Sequence, residues 1–320
     1  MRGLVLQTTL EVIRRSRHVV LQRDRIADFA QRFPSSRTVP LWPRELHYWS
    51  SDNFKVLTYL FLLDSLNFCF WPPKGKKKWR VWIEDEWRSG YYGLAAALAR
   101  FFYRFPERAT WSFFASISWR QFSSLLQGEG TLQLRTARWR ILREVGKVLV
   151  RNYGGDPRRF VESAGGDARR LTFLIARKLP SFFDVAEYHG KRVYFLKRAQ
   201  ILVGDIAGAF RNRGIGNLHN LSALTAFPDY RLPQLFASLG FIRYCEDLEK
   251  KIRAGRLLTP GGEEEVEIRA ATVWAVEYLR QELAKRGKRY LSYQLDWMLW
   301  EDAVRARTAL PHHRVRTIFY

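Results

Sequence analysis

The chain has 320 residues, enough to bury a substantial core in one large domain or two intimately packed subdomains. Its 54 Lys and Arg against 31 Asp and Glu give a formal charge of +23, a field that attracts anions: nucleic acid, an acidic membrane surface or a phosphorylated small molecule. Two cysteines in apolar runs, Cys69 and Cys245, exclude a disulfide framework and suit a reducing cytoplasm.

No Gly/Ser/Pro-rich linker, low-complexity tract or solenoid-period repeat divides the chain, so residues 1–320 are expected to form a single compact domain. The apolar run in MRGLVLQTTLEVIRRSRHVV is too short and too interrupted for a signal peptide. From Leu10 to Phe33 apolar residues recur mostly at three- and four-residue steps, which predicts a helix ended by Pro34. Val56 to Trp71 is nearly all apolar but broken by Asp64, Ser65 and Asn67. It reads as a core helix stopped by Pro72-Pro73 rather than a membrane span.

Lysines between Lys74 and Lys78 predict a solvated loop, and the W-R-V-W-I alternation after them a strand or hairpin arm. Further helices are predicted at Tyr91–Arg104, Arg135–Arg151, Phe160–Ile175, Arg198–Asn212, Leu232–Leu239 and Glu263–Arg286, the last with Gly287 as its stop. Strand-like alternation is otherwise scarce. The expectation is a mostly α, single compact helical domain with room for one small β-hairpin.

Several chemistries lack their signatures. Neither GxxxxGK[ST] nor a strand-linked GxGxxG is present, the six histidines show no HExxH spacing, the cysteines form no CxxC, and no serine sits in GxSxG. No metal or cofactor is expected.

The informative residues are polar groups inside apolar runs. In DSLNFCFWP, Asp64 and Asn67 are three apart and flanked by Phe68, Phe70 and Trp71. They either satisfy neighbours in a core or bind the edge of a flat heterocycle on which the rings stack. Lys197 and Arg198 in FLKRAQIL either hold a phosphate or carboxylate or begin a solvated helix. Glu263, Glu264 and Glu265 suit the first turn of a helix, and Arg269, four residues after Glu265, suits an intrahelical ion pair or a phosphate contact. Asp296, Trp300 and Glu301 in YQLDWMLWEDA fall on overlapping helical faces that fit a cation beside a ring. Asp229, in LTAFPDYRLPQ, is a carboxylate among aromatic and proline neighbours.

Together DSLNFCFWP, FLKRAQILVGDI, LTAFPDYRLPQLFASLGFIRY, EVEIRAATVWAVE and DWMLWE resemble, in order, the queuosine salvage protein family. The similar segments span Asn53 to Glu301, with little added by the first fifty residues or by Arg120 to Gly166. The resemblance implies a mostly helical fold akin to the helix-hairpin-helix DNA glycosylases. It also implies hydrolysis of the N-glycosidic bond of queuosine 5′-monophosphate, releasing queuine for reinsertion into transfer RNA.

Such a reaction passes through an oxocarbenium-like state, so a carboxylate beside the sugar stabilises it and activates water. Asp229 fits that role, and Lys197 is expected to pair with it, orient it or bind substrate. Among binding residues, Asp64 and Asn67 suit the guanine-like edge, and Phe70, Trp71, Phe227 and Tyr230 suit stacking. Asp296, Glu301 and Trp300 suit the cationic side-chain amine of queuine, and Arg231 and Arg269 the phosphate.

The implied partner is a small nucleotide in the cytoplasm, with no membrane and no stable nucleic-acid partner, although the basic surface allows RNA contact. Three alternatives remain at this level. A non-catalytic RNA-binding protein would lose affinity steeply with salt, a DNA glycosylase would cut oligonucleotides, and a membrane-surface protein would require anionic lipid.

Overall fold

The computed structural model describes residues 1–34 and 36–320. Most of the described chain is helical. In order come α1 (Arg2–Arg15), β1 (Val19–Leu21), α2 (Arg23–Arg32), α3 (Asn53–Leu66), β2 (Arg80–Ile83), β3 (Glu86–Ser89) and α4 (Gly90–Arg104). Then follow α5 (Trp111–Ser116), α6 (Trp119–Leu125), α7 (Arg135–Tyr153), α8 (Pro157–Glu162), α9 (Ala168–Lys178), β4 (Val185–Tyr188), β5 (Lys191–Tyr194) and α10 (Lys197–Ala209). The last elements are α11 (Arg231–Ser238), β6 (Ile242–Tyr244), α12 (Glu246–Arg253), β7 (Leu257–Leu258), α13 (Glu263–Lys285), α14 (Ser292–Arg305) and β8 (Arg314–Val315). No helix among the described residues is long and apolar enough to cross a membrane.

Two large hydrophobic clusters organise these elements. One gathers around α3, with α4, α7, α9 and α10; the other joins α2 to α11, α13 and α14. Helix α3 is buried all round from Val56 to Leu66, which is why its sequence carries no amphipathic period. Its start is fixed by Asp52, whose side chain accepts the Phe54 N–H at 2.9 Å.

Two buried arginines fix its end. Arg198 donates to the Asp64 and Ser65 carbonyls at 3.1 and 2.7 Å, and Arg138 donates to the Leu66 carbonyl at 3.3 Å and to that of Phe68. Guanidinium charge thus sits on the negative end of the helix dipole and satisfies its last carbonyls. The helix predicted to reach Trp71 therefore ends at Leu66, and Asn67 to Trp71 run on as an irregular segment in which Cys69 has a positive φ. The Cys69 N–H in that segment donates to the Tyr320 carbonyl at 2.9 Å.

Other expectations change similarly. The predicted Leu10–Phe33 helix is two helices separated by β1, which pairs antiparallel with the distant β6; the period survives because both helices bury apolar faces. Phe160–Ile175 divides into α8 and α9 at Gly165 and Gly166, both at positive φ. Strand content exceeds one hairpin: β2–β3 and β4–β5 are hairpins, β1–β6 is a long-range antiparallel pair and β7–β8 a parallel one. Pairs of two to four residues leave little alternation to read.

Gly146 lies where α7 crosses closely over α5. A Cβ there would stand 2.6 Å from the Ala115 nitrogen and 2.7 Å from its Cα, both backbone atoms that cannot yield locally. In an open helix Gly→Ala gains about 1 kcal/mol of propensity; here overpacking reverses the sign. Gly146→Ala is expected to lower the unfolding free energy by about 1–3 kcal/mol, read by chemical denaturation, and a stabilised variant would contradict this packing.

Candidate active site

A cavity of about 600 Å³ opens where the two clusters meet. Its walls come from the segment after α3 (Asn67, Phe68, Phe70), the β3–α4 junction, α10, the loop before α11, and α14. Ten of the thirteen residues singled out from sequence line it: Asn67, Phe70, Lys197, Phe227, Asp229, Tyr230, Arg231, Asp296, Trp300 and Glu301.

Asp229 is held by three N–H donors. One oxygen accepts the backbone N–H groups of Arg231 and Leu232 at 2.8 and 2.9 Å, which caps α11, and the other accepts the Trp300 indole N–H at 3.2 Å. Trp300 is itself wedged edge-on against Tyr91 and Tyr92, each 5.7 Å away between ring centroids. The carboxylate therefore has one orientation, with its position fixed by backbone on one side and an immobilised ring on the other.

Lys197 begins α10. The preceding Leu196 is left-handed, and the Lys197 N–H donates to the Asp184 carboxylate at 3.1 Å. Asp184 also receives the Arg269 guanidinium on both oxygens, at 2.9 Å for the Nη1 contact. Desolvation lowers the Lys197 pKa, while Asp229, Asp64 and Asp296 pull it back up. One ammonium thus lies in the field of several carboxylates.

The carboxyl groups themselves are driven toward neutrality. Burial raises Asp64 and Asp296 well above the ordinary range, with Asp205 adding to Asp64 and Asp229 adding to Asp296. Burial likewise takes Asp205 to about 7, against the opposing pull of Trp42 and Lys197. One Asp296 oxygen accepts the Phe227 N–H at 2.7 Å and so fixes the loop that carries Asp229.

Three expected site residues lie elsewhere. Asp64 is wholly buried behind the cavity wall, with both carboxylate oxygens free of hydrogen-bond partners. Trp71 packs beside His312 and beneath Arg314. Arg269, assigned to phosphate, is instead buried on Asp184 and over the Phe195 ring at 3.9 Å, and it makes the expected intrahelical pair with Glu265 at 3.8 Å. With both faces and its charge occupied it acts on the site through Asp184.

Sequence reasoning missed other cavity residues. Lys78, placed in a solvated loop, reaches the wall over Gly90; desolvation and then the Arg231 charge lower its pKa, so two cations share one end of the cavity. His47 is buried, stacked on Trp42 at 4.1 Å, and burial lowers its pKa to about 3, so the ring is neutral. Its Nδ1 lies 2.9 Å from the Tyr59 hydroxyl, and that hydroxyl donates to the Ala95 carbonyl. Its Nε2 lies 3.3 Å from the Tyr91 hydroxyl, so both ring nitrogens have a tyrosine partner. No short motif marks His47 or Tyr91; Asp205 stood in the quoted VGDI, where an acid in an apolar helix was the available signal.

A fixed carboxylate, a buried lysine, acids whose ionisation burial disfavours and a wall of aromatic rings share one helical cavity, a set that suits a glycoside-cleaving enzyme. The chain belongs to the queuosine salvage protein family, whose model matches residues 46–320. It is 41% identical over 318 residues to the queuosine 5′-phosphate N-glycosylase/hydrolase of Sphaerobacter thermophilus, covering 99% of this chain and 97% of that protein. The mouse protein of the same name is 36% identical, covering 83% of this chain and 82% of its own, and the Dictyostelium discoideum one 33%, covering 99% and 98%.

The raised Asp205 pKa has a consequence for stability. Between its unfolded value, near pH 4, and about 7 the folded chain holds a proton that the unfolded chain has released, so this group makes stability fall as pH rises through that window. Asp205→Asn removes the penalty. Its unfolding free energy relative to the parent should rise by up to about 4 kcal/mol between pH 4 and pH 8, measured by denaturant titration, whereas parallel curves would contradict the assignment.

Proposed function

We propose that the chain hydrolyses the N-glycosidic bond of queuosine 5′-monophosphate and releases queuine. The observation that carries this reading is Asp229, locked by three donors and facing a cavity shared with Lys197, in a chain of the queuosine salvage family.

As the C1′–N bond breaks, its electron pair leaves with the base and positive charge grows on the sugar. Asp229 offsets that charge and takes the proton of the attacking water, whose oxygen forms the new bond to C1′. Lys197 holds the Asp229 field in place and offsets the other acids. Queuine is a 7-deazapurine without the N7 that commonly accepts a proton, so departure depends on hydrogen bonds elsewhere on the ring. Asp296, whose pKa burial raises well above the ordinary range, and Asp205, raised to about 7, are suited to donate them in their protonated forms. Tyr91, Phe227 and Trp300 form an aromatic wall for the flat ring, and Lys78 with Arg231 form the cationic end for the phosphate. Cytoplasmic residence fits the free cysteines Cys69 and Cys245.

The direct test is incubation with queuosine 5′-monophosphate in the presence of chelator, following queuine by chromatography. Release is expected; a folded protein that binds the nucleotide and releases nothing would end this reading. Asp229→Asn should lower kcat by about a hundredfold or more with nucleotide affinity largely retained. Parental turnover would remove the carboxylate from the chemistry. Lys78→Ala should raise KM for the 5′-monophosphate by about tenfold or more with kcat nearly unchanged, and leave any turnover of the unphosphorylated nucleoside unaffected. Equal losses on both substrates would place Lys78 away from the phosphate.

A further inference from the structure

A charge of +23 greatly exceeds what one nucleotide phosphate requires, and its distribution is uneven. The C-terminal helices neutralise themselves: Lys250 pairs with Glu246, Arg253 with Glu249 and Arg280 with Glu277 along their own helices. Helix α7 does not. Arg140, Arg143, Lys147 and Arg151 recur at three- and four-residue steps and fall in one stripe about 16 Å long on its outer side.

Arg140, Lys147 and Arg151 are exposed, and none of the four cations has an ion-pair partner among the described residues. Glu144, the one acid on the helix, instead accepts the Ser181 backbone N–H at 3.0 Å. A ring borders the stripe: Trp119 is 43% exposed, meets Trp139 edge to face at 5.9 Å and lies 5.9 Å from the Arg135 guanidinium. Arg143 covers the Trp139 face at 4.9 Å.

We propose that this α6–α7 face binds single-stranded nucleic acid, with the backbone phosphates along the stripe and an unpaired base stacked on Trp119. Uncompensated cations beside an accessible ring match that ligand: phosphates supply the opposite charge, and unpaired bases supply a face for the indole. A membrane matches less well. The apolar side of α7, formed by Ile141, Leu142, Val145 and Leu149, is buried in the core and offers lipid nothing to enter. A duplex keeps its bases stacked on one another, away from Trp119. The proposal is independent of the reading of the cavity, whose wall is braced by Arg138 on the buried side of the same helix.

The test is fluorescence anisotropy with labelled 16-nucleotide poly(U) and poly(dT), a 16-base-pair duplex, and vesicles containing 30% phosphatidylserine. The single strands should bind more tightly than the duplex or the vesicles, and the RNA and DNA arms show which polymer is preferred. The triple variant Arg140→Glu, Lys147→Glu, Arg151→Glu should lose at least tenfold in affinity and reduce the log–log salt slope by about 2. Trp119→Ala should lose about tenfold with the slope unchanged, a split that charge alone does not produce.

Both variants should keep the parental unfolding midpoint and queuosine 5′-monophosphate turnover, or parental circular dichroism if that nucleotide is not cleaved. Parental affinity in either variant overturns the proposal. So does stripe-dependent binding to the vesicles that matches or exceeds binding to the strands.

Discussion

The place of Lys197 in the cavity depends on a pairing that does not line it. Arg269 and Asp184 face each other in a fully enclosed space, and Asp184 spends its remaining capacity on the first N–H of α10. Enclosed charge is stable only when it is matched and hydrogen-bonded, and removing one partner would strand the other. The left-handed turn at Leu196 is over-determined by this arrangement, and Lys197 emerges from it in a single place. The arginine that looked like an anion ligand is thus the foundation on which Lys197 stands.

From that foundation the electrostatics follow. Burial disfavours ionisation of Asp64, Asp205 and Asp296, while Lys197 favours it, so the group shares charge that no member would hold alone. Asp229 differs in kind. Its oxygens are occupied by two backbone donors and an indole, so the same residue that starts α11 also faces the cavity. Capping and orientation are here one geometry, because a carboxylate held by backbone donors cannot rotate.

Legibility in the sequence tracked how local each determinant was. Helical periods identified α4, α7, α10 and α13 because each stripe is written in consecutive residues. The end of α3 was hidden, because Arg138 and Arg198 impose it from distant segments. The site divides similarly. Asp229, Lys197 and Trp300 stood out as charges or rings in long motifs, and all three line the cavity. Lys78 looked like one member of a solvated run, since only the fold brings it to Arg231, and His47 was a lone histidine whose tyrosine partners come from α3 and α4. Arg269 shows the reverse limit: sequence registers the charge and its Glu265 neighbour four residues away without revealing that the distant Asp184 also holds it.

The bond from the Cys69 N–H to the Tyr320 carbonyl bears on the order of events during synthesis. Tyr320 also lines the cavity and lies 4.7 Å from the Arg269 guanidinium. A segment translated early is therefore sealed by a residue that leaves the ribosome some 250 positions later. Helices α3 to α10 share one hydrophobic cluster, yet the cavity they border also needs Tyr320 for its wall. A chain that had not yet extended to Tyr320 would lack this part of the wall, so the cavity is closed by segments far apart in sequence.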